Sequence, residues 1–425
     1  MKRSILKRVL CLTAILALAL QLFGCAAEGP GSGQTPTEPA VKAVNLMAEI
    51  TPASAQAAPM SKEGSEAAAD FALRLFRASH REGENTLLSP LSVLSALSMT
   101  ANGAEGATLT QMESTLGMRR DLWNDCFRSW LNALSGDPAL KQANSVWFTS
   151  DPRFTVNRDF LQTNADYYGA DVYQAPFDGT TLADLNNWVK EKTDGMIPQI
   201  LDEIPPEAVM YLVNALAFDA RWAKQYEKNS VWPGEFTCAD GTKRTVDFMW
   251  SEESQYLEGE RFTGFIKPYE GGKYAFAALL PKEGCSVEDC LEGLDGASLQ
   301  ALLASPQQEM VNAGLPKFES ETSLELSEVL KSMGMELPFD GGLADLSGLG
   351  TSTGGNIYIS RVLHKTFITV SEDGTRAGAA TVVEACDESA MEMQNVILDR
   401  PFIYMLIDTE TNLPFFIGTL QNPAS

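Results

Sequence analysis

The chain has 425 residues, 44% of them hydrophobic, enough to bury a large core as one big domain or two smaller ones, so disorder is not its default state. Its 32 basic and 56 acidic residues give a net charge of −24 at pH 7. That balance excludes capture of nucleic acid or of an anionic membrane surface by charge, and it steers basic or neutral partners better.

The chain opens Met1-Lys2-Arg3-Ser4-Ile5-Leu6-Lys7-Arg8 and continues in an apolar run from Val9 to Phe23. This is the layout of a secretory signal, and it is short for a membrane span. The run ends Leu22-Phe23-Gly24-Cys25, which resembles a bacterial lipoprotein processing site. Residues 1–24 are then the signal, Cys25 carries the lipid, and the chain is extracytoplasmic, anchored at a bacterial cell surface or secreted. A conventional small-residue cleavage nearby is the alternative. Loss of residues 1–24 removes four basic and no acidic residues and leaves −28.

Residues 25–60 are rich in Ala, Pro, Gly, Ser and Thr and read as a tether. Order is expected from Ser65 to Ala78, where Ala69, Phe71, Leu75 and Phe76 make a helical stripe. The uncharged stretch Asn85 to Met99 reads as a short strand turning into a buried helix that stops near Asn102-Gly103. A further helix is expected from a capping Thr108 or Thr110 to Gly117. From Asn144 strands and helices alternate: Ser145 to Phe148 and Asp171 to Ala175 extended, Leu182 to Thr193 helical, Ala208 to Phe218 a buried strand. Extended runs follow at Thr245 to Met249, Gly264 to Pro268 and Tyr274 to Pro281, then helical patterns at Val287 to Leu303 and Leu324 to Met333. The end reads as a hairpin, Phe402 to Ile407 and Phe415 to Leu420. The pattern predicts one α+β domain over residues 61–425 with several sheets.

After the strand-like run Lys365 to Val370, the stretch Glu372 to Ser389 is small-residue rich yet keeps a period of two. Thr375, Ala377, Ala379, Thr381, Val383 and Ala385 form an uncharged face, while Arg376 and Glu384 fall on the other. A loop has no reason to hold such a register, so the segment reads as a strand kept in reserve.

Seven cysteines are present, and with Cys11 removed and Cys25 modified five remain, an odd number that cannot close a disulfide framework. Cys285 and Cys290 could at most form a local bridge, Cys386 reads as a fortuitous thiol, and no cysteines have metal-ligand spacing. No cofactor is implied. Only His80 and His364 exist, and G-x-S-x-G, H-E-x-x-H and G-x-x-x-x-G-K-[ST] are absent. Gly341-Gly342 and Gly354-Gly355 lack the strand-then-helix context of a phosphate site, and the adjacent acids Asp202-Glu203 and Glu252-Glu253 diverge instead of converging on one atom. The chain is therefore not read as an enzyme. A surface hydrolase, the weakest alternative, would depend on His80 or His364.

Glu372-Asp373-Gly374-Thr375 with the small residues after it resembles the reactive-loop hinge of serpins, preceded by Val362-Leu363-His364-Lys365. Arg400-Pro401-Phe402-Ile403-Tyr404, Leu413-Pro414-Phe415-Phe416-Ile417-Gly418 and Asn422-Pro423 resemble the family's C-terminal signature. Shorter matches run in order between them and the N-terminus, among them Ser89-Pro90-Leu91-Ser92, Val213-Asn214-Ala215 leading to Phe218 and Trp222, and Pro316-Lys317-Phe318. The resemblance implies a serpin fold of three β-sheets and eight or nine helices with an exposed reactive loop at about 372–397. It also implies an irreversible inhibitor of serine proteases, a monomer that traps the acyl-enzyme when its cleaved loop inserts into the central sheet. A non-inhibitory binding protein on the same fold is the alternative.

Residue by residue, the resemblance makes Glu372, Gly374, Thr375, Ala377, Ala379, Ala380 and Thr381 the hinge. It sets the scissile bond at Glu388-Ser389, with Asp387, Ala390 and Met391 as alternatives. An acid at the cut would suit acid-directed proteases, and Ala390 or Met391 elastase-like or chymotrypsin-like ones. Ser89, Ser92, Asn214 and His364 match a buried polar cluster governing sheet opening, and Trp222 the tryptophan near the start of insertion.

Overall fold

The computed structural model describes residues 43–53, 58–134, 137–205, 208–375 and 393–423. In chain order these form β1 (Val44–Asn45), α1 (Lys62–Ser79), β2 (Thr86–Leu88), α2 (Pro90–Ala101), α3 (Gly106–Leu116), α4 (Arg120–Leu134), β3 (Leu140–Thr149), β4 (Phe154–Val156), α5 (Arg158–Tyr168), β5 (Asp171–Ala175), α6 (Gly179–Lys192), β6 (Met210–Phe218) and β7 (Ala220–Arg221). There follow β8 (Val231–Thr237), β9 (Lys243–Glu253), β10 (Tyr256–Glu258), β11 (Phe262–Pro268), β12 (Tyr274–Pro281), α7 (Val287–Glu292), α8 (Gly296–Ala304), β13 (Val311–Pro316), β14 (Phe318–Glu325) and α9 (Ser327–Ser332). The last elements are β15 (Gly350–Ser352), β16 (Arg361–Val370), β17 (Gly374–Thr375), β18 (Gln394–Ile397), β19 (Phe402–Asp408) and β20 (Leu413–Leu420).

The central sheet runs β1-β5-β3-β6-β16-β17-β7, with β14 also on β16. A six-stranded sheet runs β10-β11-β12-β19-β20-β2, a four-stranded one β18-β13-β9-β8, and β15 pairs with β4. This is the α+β, multi-sheet architecture expected, with nine α-helices among the described residues.

β6 shows how sequence dictates position. All nine of its residues are buried, because both faces are covered. Met210, Leu212, Leu216 and Phe218 join the main core, while Tyr211, Val213 and Ala215 join a second cluster with Leu185, Trp188 and Val189 of α6. The uncharged α2, all twelve residues buried behind Pro90 in its first turn, packs on β3 and β6 of the central sheet and on β20 of the six-stranded sheet.

Several expectations change. Residues 43–53, read as tether, lie on the domain: β1 pairs with the edge strand β5, Leu46 N–H donates to Val172 O at 2.8 Å, and Gln162 Nε2 to Thr51 O at 2.9 Å. α3 begins at Gly106, ahead of both threonines; the Thr108 hydroxyl instead accepts from Asp345 N–H at 2.9 Å. Its end is as expected, with Gly117 in the left-handed region at φ 84°. The pattern Val287 to Leu303 splits into α7 and α8, because Asp295 and Ser298 form a new capping box after Gly293. Leu324 and Glu325 stay on β14 opposite His364 and Leu363, so that helix shrinks to α9. α4, α5, β8, β13 and most of β14 were not anticipated; α4 hides its stripe of Trp123, Phe127 and Trp130 among charged neighbours. Cys285 and Cys290 are free thiols, and Cys290 Sγ lies 3.4 Å from Arg261 O, so no bridge joins them.

Candidate functional site: the top of the central sheet

β6 and β16 are parallel neighbours over only part of their length. Their ladder runs from Tyr211 opposite Arg361 to Ala215 opposite Lys365, with Asn214 opposite His364. Above that level β6 continues on β3 as far as Phe218, and β16 continues on β14 as far as Val370. Among the described residues the only strand entering between the two upper halves is β17. Thr375 pairs antiparallel with Val370 on one side and with Ala220 on the other.

The chain reaches this position through a tight turn, Ser371 to Gly374, closed by Ser371 N–H donating to Gly374 O at 3.0 Å. Gly374 has φ +156°, and a Cβ there would sit against Ala220 O and 2.7 Å from Arg221 Cα, so only glycine fits. The turn's outward carbonyls all find donors: Trp222 Nε1–H reaches Ser371 O at 2.8 Å, Tyr226 N–H reaches Glu372 O at 3.1 Å and Trp222 N–H reaches Asp373 O at 3.1 Å. Lys317 Nζ lies 2.7 Å from the Glu372 carboxylate and holds it below the usual glutamate range. Thr375 is fully buried, its Oγ1 2.5 Å from the Tyr269 hydroxyl. The Trp222 indole stacks on Tyr269 with centroids 4.5 Å apart.

Lower in the sheet lies the polar cluster. Ser89 N–H donates to His364 Nε2 at 3.0 Å, Asn144 Nδ2 donates to Ser95 Oγ at 2.9 Å, and Asn214 Nδ2 donates to Asn144 Oδ1. Burial depresses His364 to about 4, so the ring is neutral, and with Nε2 accepting, its proton is assigned to Nδ1. That Nδ1, Asn214 Oδ1 and the hydroxyls of Ser89 and Ser92 are buried without a partner. Orphaned polar atoms of this kind cost free energy until something satisfies them. His80 is elsewhere, at the end of α1, with Nε2 2.7 Å from Glu288.

Glu372, Gly374 and Thr375 thus meet at the top of the sheet with Trp222, and Ser89, Asn214 and His364 meet beneath its closed part. Ala377, Ala379, Ala380, Thr381, the bonds at 387–391 and Cys25 lie outside the described residues. Lys317, Tyr226 and Tyr269 were not foreseen as hinge contacts, because each arrives from a different element and no local pattern marks it. Among the described residues no group of three or more His, Cys, Asp or Glu side chains is arranged to hold a metal ion.

The central sheet is thus closed below, between β6 and β16, and entered above by the two-residue strand that follows β16, in an α+β fold of several sheets. The comparisons identify the family. The profile described as serpin (serine protease inhibitor) matches residues 66–423. An uncharacterised serpin-like protein of Thermococcus kodakarensis is 30% identical over 380 residues, covering 85% of this chain and 87% of that protein. A leukocyte elastase inhibitor of Equus caballus is 30% identical over 381 residues, covering 83% and 97%. The native-state crystal structure of tengpin, a thermophilic serpin, superposes with a TM-score of 0.87 at 44% identity, covering 90% of this chain and all of the other. The same protein in its latent state gives 0.77 at 43% identity, covering 87% of this chain. The chain belongs to the serpin family, whose members are generally inhibitors of serine proteases and not catalysts.

Proposed function

We propose that this chain is an irreversible suicide-substrate inhibitor of serine proteases, held at a bacterial cell surface by a lipid on Cys25. A target protease attacks the carbonyl of Glu388, or of a neighbour within 387–391. An ester forms with its serine, and the Ser389 amine leaves with the proton delivered by the protease's own base. The cleaved loop then inserts before water can hydrolyse the ester. The net charge, −28 once residues 1–24 are lost, favours a cationic protease.

The observation that carries the reading is the β16-β17-β7 junction, where a strand antiparallel to both neighbours has started between them. Extending that register would set Ala377 opposite Ile368 and Phe218, Ala379 opposite Thr366 and Leu216, and Thr381 opposite His364 and Asn214. Ile368, Thr366, Phe218 and Leu216 are buried, so small residues are what can enter. The Thr381 hydroxyl would arrive where His364 Nδ1–H and Asn214 Oδ1 lack partners, turning a cost of the present state into a gain for the inserted one. Incubation with a panel of serine proteases tests the proposal. A covalent complex that survives boiling in SDS is expected, and cleavage throughout the panel with no such complex refutes it.

A further inference from the structure

Beneath the hinge turn lies a charged pair that stability alone does not explain. Lys267 of β11 and Glu253 of β9 are 1% and 8% exposed, with Nζ 2.7 Å from Oε1. Ser251 Oγ lies 2.6 Å from the same Oε1 and 3.4 Å from the Tyr226 hydroxyl. The ammonium also sits 4.4 Å from the Tyr226 ring centroid and 5.5 Å from that of Trp222. Burial of this depth pulls the lysine below its ordinary range, against the pull of Glu253. Apolar replacements of similar volume are often neutral for stability at such sites, so stability does not account for the pair.

Those neighbours are the two residues that grip the hinge. Trp222 and Tyr226 make three of the hydrogen bonds to the carbonyls of Ser371, Glu372 and Asp373. Their rings meet edge to face, with 6.4 Å between centroids. Lys267 touches both, and Glu253 ties it to the four-stranded sheet. Resting on the inhibitory reading above, we propose that Lys267, anchored by Glu253, is a positioning residue for loop insertion. It fixes the height and tilt of Trp222 and Tyr226, which hold the turn from Ser371 to Gly374 in the geometry from which β17 lengthens. Without the cation, the aromatic pair keeps the Tyr269 stack but loses its tie to the four-stranded sheet, the first step of the hairpin is less well preformed, and hydrolysis of the acyl-enzyme gains on insertion.

The test uses the full chain as wild type, the double variant K267M/E253L, which removes both charges without leaving one unpaired, and the conservative K267R. Each is mixed with the panel protease that gives wild type its highest yield of SDS-stable complex, and the ratio of cleaved to trapped inhibitor is read. A metalloprotease, which forms no acyl-enzyme, cuts the loop of each in parallel, and thermal unfolding is compared before and after. The double variant is expected to raise the cleaved-to-trapped ratio about tenfold, on the scale of losing two cation–π contacts in a desolvated site. Its native unfolding midpoint should hold within about 2 °C. K267R should recover most of the trapping. An unchanged ratio in the double variant overturns the proposal, as does a rise that K267R shares in full. Wild type that yields no complex, and gains no thermal stability after the metalloprotease cut, instead overturns the inhibitory reading and this proposal with it.

Discussion

Replacing Thr375 by Arg probes the slot directly. The Thr375 side chain is fully buried and its hydroxyl is 2.5 Å from that of Tyr269. A guanidinium in this place would be a desolvated charge with no partner, which costs about 3 kcal/mol or more, and the lost hydrogen bond adds about 1 kcal/mol. In the uncleaved protein the cost can be relieved: β17 is only two residues long, so it can leave the sheet and carry the arginine to solvent. The native unfolding midpoint should therefore fall by only about 2–4 °C. After cleavage there is no such escape, because every later residue enters behind residue 375. A barrier raised by about 4 kcal/mol slows insertion about a thousandfold, and hydrolysis wins. The assay is the yield of SDS-stable complex beside the unfolding midpoint of the cleaved protein. Both should drop, leaving a plain substrate. Complex formed at the wild-type yield would refute the strand register and the place given to Thr375 in it.

Gly374→Ala puts a methyl against Ala220 O and Arg221 Cα at a φ that side chains rarely adopt, so about 1–3 kcal/mol of strain should unpair β17. Faster proteolysis within residues 371–375 of the uncleaved protein is the readout. Thr381→Val should leave the uncleaved protein unchanged, whereas the loop-cleaved form should lose about 1–3 kcal/mol, measured by chemical denaturation, because the partners offered to His364 and Asn214 are gone. His364 titrates at about 4 when folded against an ordinary 6.5. The unfolded chain takes up the proton first, so stability is complete above pH 6.5 and falls by about 3 kcal/mol as the pH drops toward 4. His364→Gln should flatten the pH dependence of the unfolding midpoint between pH 6.5 and 5, above the range where most carboxylates titrate.

The sequence by itself determined a good deal. The uncharged runs of α2 and β6 announce burial on every side, and the motifs of the C-terminal third announce the family, because each is written in consecutive residues. Elements whose apolar stripes are diluted by charge, such as α4, or whose caps compete with a tertiary contact, such as Thr108, were less legible. Only the tertiary structure decided where β17 meets the sheet. That the ladder between β6 and β16 stops at Ala215 and Lys365, that Gly374 must pass against Ala220, and that Lys317, Tyr226, Tyr269 and Lys267 converge under one turn are consequences of three sheets meeting. Such contacts join residues far apart in the chain, Trp222 and Ser371 being separated by 149 positions, and no pattern along the chain encodes a distance between faces that only packing brings together.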